Sequence, residues 1–174
     1  MIYLASACIG YQITSISGLS NVGQIRGILV DPQRFSVAGF WVEEYSRRRT
    51  YWPILLSQSL RQIHDKRIFI NDLEDINDPT DLPRLKRVLK VDYQIPGTKV
   101  VSSDDEYLGR AEDFSFNDED FKIIHLIVKP PLHQRLRKTR LHFTRNQIEK
   151  VSRRRIEVKI GPQAQLHSLP ETAP

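Results

Sequence analysis

Short apolar runs separated by turn residues dominate the chain and predict a β protein. Four runs open the sequence and are rich in the β-branched and aromatic residues that strands favour; they are 11–16, 22–30, 35–43 and 50–56. Asp31-Pro32 separates the second run from the third, and proline presets a backbone angle that turns require. We therefore predict a hairpin at this point.

The pattern of the first half returns in the second half. Both copies carry a shared glycine, Gly23 or Gly109, before a long apolar run, and the offset between them grows from 86 to 88 residues along the repeat. The matching pairs are 22–31 with 108–117, 35–42 with 121–128, and 66–70 with 154–158. Such a repeat predicts two copies of one small β module.

The third run of each copy, 35–42 or 121–128, is apolar at nearly every position. Strands covered on both faces have this pattern, so we expect each run to lie inside its sheet. Residues 57–63 and 144–151 predict short helical or 3₁₀ turns that lead into a last strand.

Residues 78–92 predict a linker with a short helix. Asp81 is the expected N-cap, and Pro83 lies in the first turn, where its missing N–H is tolerated. An apolar stripe follows at helical spacing, formed by Leu82, Leu85, Val88 and Leu89. We expect the stripe to pack on a β-barrel.

The repeat divides the 174 residues into four parts. These are a first module at 1–77, the linker at 78–92, a second module at 93–161, and a tail at 162–174. The tail has three prolines and no apolar periodicity, which predicts disorder. Modules of roughly 75 residues bury only about 60% of their unfolded surface, so we expect the two copies to stabilise each other by packing together.

The second copy resembles the PRC-barrel family over a short, glycine-anchored pattern. A strand ends in a lone glycine, a polar turn follows, and a Leu-Gly-x-x-x-Asp step at Leu108-Gly109 and Asp113 leads to an apolar strand that ends near Val128. The first copy is similar at Gly10, Gly23 and Asp31. The resemblance covers about residues 5–160. It implies an all-β fold of two small, strongly bent PRC-type β-barrels in tandem, joined by a short helix.

The same resemblance implies four structural glycines: Gly10, Gly23, Gly97 and Gly109. Gly23 and Gly109 are expected where the chain bends or packs too tightly for a Cβ atom. PRC-barrel proteins include the cytoplasmic part of a photosynthetic reaction-centre subunit, half of a ribosome maturation factor, and archaeal division-associated proteins. This chain lacks the membrane helix of the first and the other barrel of the second, so the family predicts fold and not function.

Charge distinguishes the two copies. The chain carries a net charge of +5, but residues 97–128 hold three basic and eight acidic residues, whereas 129–160 hold eleven basic and two acidic. The candidate basic patch consists of Arg135, Arg137, Lys138, Arg140, Arg145, Lys150, Arg153, Arg154 and Arg155. Three interpretations remain open: a solvated face, a phosphate-binding face for RNA or the ribosome, and a face for an acidic protein or membrane.

Three aromatic residues, Trp41, Tyr51 and Trp52, form the second candidate site. All three lie within strand patterns, which favours packing in the core. Exposed aromatic residues dominate the energetics of many interfaces, so a protein-docking anchor is the alternative.

Catalytic, metal and cofactor sites are not predicted. The five histidines have no metal-ligand spacing, and one cysteine could join them. The acidic clusters at 104–106 and 118–120 lack the pattern of a calcium loop and predict turns. We find neither a Ser-His-Asp order nor a glycine-rich phosphate loop.

The single cysteine, Cys8, suits a reducing compartment, and no apolar run approaches the length of about 18 residues that a transmembrane segment needs. We therefore expect a cytoplasmic protein. The predicted function is a non-enzymatic adaptor that binds a protein partner or macromolecular assembly. The alternative is an RNA- or ribosome-associated factor that uses the basic face of the second module. Homo-oligomerisation through the acidic and basic faces is a further expectation.

Overall fold

The structure is a computed structural model that describes residues 1–45, 51–134 and 140–160, and it is mostly β. The chain begins with β1 (Ile2–Leu4) and a short helix, α1 (Ala5–Cys8). The strands of the first half are β2 (Gln12–Ser15), β3 (Ser20–Asp31), β4 (Ser36–Glu44), β5 (Ile54–Leu56), β6 (Gln62–His64), β7 (Arg67–Ile70) and β8 (Ile76–Asn77). Helix α2 (Lys86–Val91) follows, and then β9 (Lys99–Ser102), β10 (Tyr107–Asn117), β11 (Ile123–Lys129), β12 (Leu141–Thr144), β13 (Ile148–Val151) and β14 (Arg155–Val158).

The described residues form two sheets of seven strands each. The first sheet has the order β6-β7-β2-β3-β4-β5-β8, and the second has the order β12-β11-β10-β9-β14-β13 with β1 added to β10. Within the described residues neither path closes on itself into a barrel. The predicted disordered tail at 162–174 lies outside the described residues.

The repeat in the sequence is also a repeat in hydrogen bonding. The N–H of Gly10 donates to Ile25 at 2.8 Å, and the N–H of Gly97 donates to Ala111 at 2.8 Å. Each copy also has one parallel pair, β2 with β7 or β9 with β14. Both copies therefore fold in the same way around the corresponding glycines.

Gly23 and Gly109 lie where two strands come too close for a side chain. A Cβ atom on Gly23 would be 2.5 Å from the carbonyl oxygen of Glu43, and one on Gly109 would be 2.1 Å from that of Lys129. Glu43 and Lys129 are themselves corresponding residues of the repeat, so the same close approach occurs in each copy.

The predicted hairpin between β3 and β4 is confirmed. The carboxylate of Asp31 accepts hydrogen bonds from the N–H groups of Gln33 at 2.9 Å and Arg34 at 3.3 Å. In the second copy the side chain of Asn117 accepts from the N–H of Glu119 at 3.0 Å. Two different side chains therefore stabilise the same turn.

Strand β4 is covered on both faces, as its apolar pattern predicts. Val37 and Phe40 belong to the main core, whereas Ala38 and Trp41 pack on a smaller cluster of Leu29, Ile54 and Val88. The stripe on α2 completes that cluster through Leu82, Leu85 and Leu89. The linker helix therefore covers the outer face of the first sheet.

The predicted N-cap of this helix is wrong. Asp81 is the last residue of a separate 3₁₀ turn, Pro79–Asp81, which Asp78 caps by accepting from the N–H of Thr80. Leu85 occupies the N-cap position of α2 and makes no side-chain cap. Pro83 explains the break, because it starts a second 3₁₀ turn before the α-helix begins.

Corresponding residues of the two copies meet at a pseudo-twofold seam. Ser36 and Lys122, which occupy the same position in the repeat, form an isolated antiparallel bridge. On either side of it, the N–H of Val37 donates to Phe121 at 2.8 Å and the N–H of Ile123 donates to Phe35 at 3.2 Å. The contact is self-complementary, like the interface of a C₂ dimer.

An aromatic cluster fills the core beneath the seam. Phe116 lies at its centre, with ring centroids 6.1 Å from Phe40, 6.1 Å from Phe121 and 6.2 Å from Tyr3. The buried side chains of both sheets form one continuous hydrophobic cluster. The two copies therefore share a core.

Strand β1 connects the beginning of the chain to the second sheet. Ile2, Tyr3 and Leu4 pair with Asn117, Phe116 and Ser115 of β10. The hydroxyl of Tyr3 donates to the carbonyl oxygen of Ile63 in the first sheet, at 2.8 Å. This short strand therefore makes hydrogen bonds to both sheets.

Candidate functional site

The three aromatic residues of the predicted docking site lie close to one another at the surface. Trp41 is on β4 and partly buried, whereas Tyr51 and Trp52 precede β5 and are 42% and 48% exposed. The sequence pattern extended a strand through 51 and 52, but the strand begins at Ile54. Pro53 explains the difference, because it has no N–H to donate to a neighbouring strand.

These aromatic side chains line a groove of about 840 Å³, which we call the aromatic groove. Its volume is within the range of pockets that bind ligands. Its described lining consists of Arg26, Gly27, Trp41, Tyr51, Trp52, Pro79, Leu89, Asp92 and Gln94. The groove therefore combines a ring of aromatic and apolar side chains with a few polar groups.

Contacts within the protein hold the walls of the aromatic groove in place. The hydroxyl of Tyr51 donates to Asp78, the residue that caps the neighbouring 3₁₀ turn. The guanidinium of Arg26 binds the carboxylate of Glu43. Side chains that are fixed before binding lose less conformational entropy on binding.

Gly27 gives Trp41 its position in the groove. The two residues are opposite each other in the β3–β4 ladder, and a Cβ on Gly27 would be 3.1 Å from Cδ1 of the indole. The indole ring therefore lies over the backbone of β3. A larger residue at 27 would press against the ring.

A second cavity, the inter-repeat cleft, adjoins the aromatic groove. It has a volume of about 290 Å³, and it shares Arg26, Gly27 and Gln94 with the groove. Its other described lining residues are Ala5, Ser6, Ile9, Ile28, Val30, Ile95, Pro96, Glu112, Asp113 and Phe114. Both copies contribute to it, so the cleft exists only when they pack together.

Asp113 is the polar residue buried most deeply in the inter-repeat cleft, with 8% of its surface exposed. Its Oδ1 atom accepts hydrogen bonds from the N–H groups of Ser6 at 3.2 Å and Phe114 at 2.8 Å. These two bonds fix the orientation of the carboxylate between α1 and β10.

Part of the predicted basic patch is engaged within the protein. Arg140 binds Glu112 at 2.5 Å, and Arg155 binds Asp105 and Glu157, each at 2.8 Å. Arg135, Arg137 and Lys138 lie outside the described residues. Lys150, Arg153 and Arg154 are exposed on the β13–β14 hairpin.

Arg145 has a structural position across the seam. Its guanidinium donates to the carbonyl oxygens of Phe35 at 2.7 Å and Arg34 at 3.1 Å, and lies 5.0 Å from the centroid of the Phe35 ring. Arg145 therefore joins the two copies, unlike the exposed cations of the β13–β14 hairpin.

The described histidines and the acidic clusters do not come together as a metal site. Within residues 1–45, 51–134 and 140–160, no group of three His, Cys, Asp or Glu side chains could hold an ion. Nδ1 of His125 lies 3.0 Å from Oγ of Ser115, a contact that joins β11 to β10. Burial, followed by the charge of His125, lowers the pKa of His142.

Cys8 is fully buried in the shared core, and burial raises the pKa of its thiol to about 12. The thiolate is the reactive form, so we expect Cys8 to resist alkylation by iodoacetamide at pH 8 in the native protein and to react readily in urea. Mass spectrometry after timed labelling measures both rates. Rapid labelling without denaturant would contradict the burial of this thiol.

No protein-family model matches this chain, and neither does any curated protein. The described part of the chain also contains no helix with the length and apolar character required to cross a membrane. The candidate site therefore rests on its own geometry.

Sequence reasoning named the aromatic residues of the groove but not its polar part. The sequence marks Asp113 only as a motif position, and no motif in it singles out Arg26, Asp92 or Gln94 as site residues. A charged residue such as Arg26 inside a strand pattern was the available signal. The inter-repeat cleft itself had none, because its walls come from residues far apart in the sequence.

Proposed function

We propose that this protein is a non-enzymatic adaptor that binds a protein partner through the aromatic groove. The observation that carries this proposal is the exposure of Tyr51 and Trp52 beside Trp41 around one groove. Aromatic side chains supply large contact areas with few rotatable bonds, and they are frequent among the residues that dominate binding energies. A groove with aromatic walls suits an extended peptide segment of the partner.

We further propose that the two sheets are PRC-type barrel modules in a cytoplasmic protein. Support comes from the glycine-anchored motif and from the repeat of its hydrogen bonds in both copies. The single cysteine supports the compartment.

RNA or ribosome association through the basic face has less support. Among the six described residues of that patch, Arg140, Arg145 and Arg155 are held by contacts within the protein. The ion pairs of Arg140 and Arg155 reduce the charge available to phosphates, and the guanidinium of Arg145 is engaged by backbone carbonyl oxygens. We therefore rank a protein partner first.

A displayed library of random 12-residue peptides tests the adaptor function. We expect the 174-residue protein to select peptides. Trp52→Ala should weaken the binding of the synthesised peptides at least about tenfold, since an indole buried on binding contributes about 2 kcal/mol or more. Fluorescence anisotropy of labelled peptides measures the affinities.

Tyr107→Ala is the matched control, because Tyr107 is an aromatic residue that is 39% exposed on the second sheet and does not line the groove. It should leave the affinities unchanged. The groove is not the docking site if both variants bind the selected peptides as the wild type does, or if no peptide is selected.

A further inference from the structure

The aromatic groove and the inter-repeat cleft form one continuous binding surface. Arg26, Gly27 and Gln94 line both cavities and mark the place where they meet. The groove presents aromatic and apolar side chains, and the cleft ends at a buried carboxylate. A ligand that extends across both would need an apolar part and a part that recognises this carboxylate.

The carboxylate of Asp113 has one oxygen still available. Oδ1 is occupied by the N–H groups of Ser6 and Phe114, whereas Oδ2 has no hydrogen-bond partner among the described residues. Oδ2 is not among the fully buried side-chain atoms that lack a partner in that part of the chain, so it remains open to the cleft. A carboxylate oxygen that is open to a cavity and has no donor within the protein favours a charged hydrogen-bond donor from a ligand.

The charge of the lining also favours a cation. The described residues around the two cavities include one arginine, Arg26, and three carboxylates, Asp92, Glu112 and Asp113, a formal charge of −2. This local sign is opposite to the net charge of +5 of the whole chain. Arg26 is already paired with Glu43, and Glu112 is paired with Arg140, so the remaining negative charge lies on Asp92 and Asp113. Asp113 has no cationic partner among the described residues.

The two copies differ at the position of this carboxylate. Gly27 is the residue of the first copy that corresponds to Asp113, and both line the cleft. One copy therefore supplies a negative charge where the other supplies no side chain. The cleft has a volume of about 290 Å³, which accommodates one long side chain better than the surface of a folded partner protein.

We propose that the occupant is an extended peptide segment of the partner protein that carries a lysine or arginine, and that this basic side chain enters the inter-repeat cleft to bind Asp113. Its neighbouring apolar residues lie along Trp41 and Trp52 in the aromatic groove. This inference rests on the proposed adaptor function and specifies the chemistry of the partner.

The peptides selected by the 174-residue protein provide the test. We expect them to be enriched in lysine or arginine at a fixed distance from an apolar residue. Replacing that lysine by the uncharged norleucine, or that arginine by citrulline, should weaken binding at least tenfold without any change in the protein. Asp113→Asn, which keeps an oxygen for Ser6 and Phe114, should cause a similar loss and remove the preference for the charged peptide.

Asp104→Asn is the control on the protein, since Asp104 is an exposed carboxylate that lines neither cavity; it should bind the charged peptide as the wild type does. If Trp52→Ala abolishes binding but the peptides show no basic preference, the role of Asp113 is wrong and the adaptor function stands. If Asp104→Asn loses as much affinity for the charged peptide as Asp113→Asn does, the role of Asp113 is also wrong, because the basic preference would then be a general charge effect. Failure to select any peptide would reject the adaptor function itself.

Discussion

Replacing Gly109 by alanine should lower the free energy of unfolding by about 3 kcal/mol or more. The residue has φ of +138°, a conformation that side chains rarely adopt, and the new Cβ would be 2.1 Å from the carbonyl oxygen of Lys129. Relief of this clash requires β10 and β11 to separate, which would break their hydrogen-bond ladder. Urea denaturation followed by far-UV circular dichroism measures the loss.

Gly97→Ala separates the two causes of this effect. Gly97 also has a positive φ, +89°, but a Cβ there would meet no atom within 4 Å. Its replacement should cost only the backbone strain, about 1–2 kcal/mol. If Gly109→Ala loses no more stability than Gly97→Ala, the close approach to Lys129 is not the reason for the glycine.

Phe116→Ala should destabilise both sheets together by about 3–5 kcal/mol. Phe116 is fully buried, and it contacts the aromatic rings of Tyr3 and Phe40 as well as that of Phe121. Both tryptophans of the chain belong to the first half, so tryptophan fluorescence reports on the sheet that does not contain the mutation. We expect the urea midpoint measured by tryptophan fluorescence to fall as far as the midpoint measured by circular dichroism.

Leu132→Ala is the control for this experiment, because Leu132 is 76% exposed in the same half of the chain as Phe116. It should shift neither midpoint by a measurable amount. A fluorescence midpoint that stays at the wild-type value in Phe116→Ala, with a biphasic dichroism curve, would show that the two sheets unfold independently.

Local chemistry made much of the β structure predictable. The hairpin at Asp31 depends on a side chain that binds the next N–H groups, and the sequence shows such a side chain directly. The cover over β4 was also predictable, since a strand with so few polar positions needs an apolar layer on each face. α2 supplies that layer through Val88 and its neighbours.

Features that depend on distant contacts were not predictable. Nothing in Ile2–Leu4 indicates that this segment pairs with β10, since a three-residue strand has almost no pattern of its own. The seam between Ser36 and Lys122 joins residues that only the alignment of the two copies relates. The closure of the predicted PRC-type barrels also depends on strand pairings that a motif does not specify.

The candidate site was predictable in its aromatic part alone. Trp41, Tyr51 and Trp52 were identified by residue type, but the exposure of Tyr51 and Trp52 depended on Pro53, which keeps β5 from extending back to them. The contribution of Asp113 required the packing of the two copies, which places Asp113 in one cavity with Arg26 and Gln94. Charge counts along the sequence identify clusters of charged residues. Asp113 is a single carboxylate in a confined cavity, so such counts do not single it out.

The pairing of β1 with β10 has a consequence for folding during synthesis. A ribosome produces Ile2–Leu4 well before β10, and at about 5–20 residues per second the interval is on the order of ten seconds. Throughout that time Tyr3 lacks the ring of Phe116, and the first sheet lacks the aromatic side chains that complete its core. The nascent chain is therefore most exposed to aggregation and chaperone binding until its second half emerges.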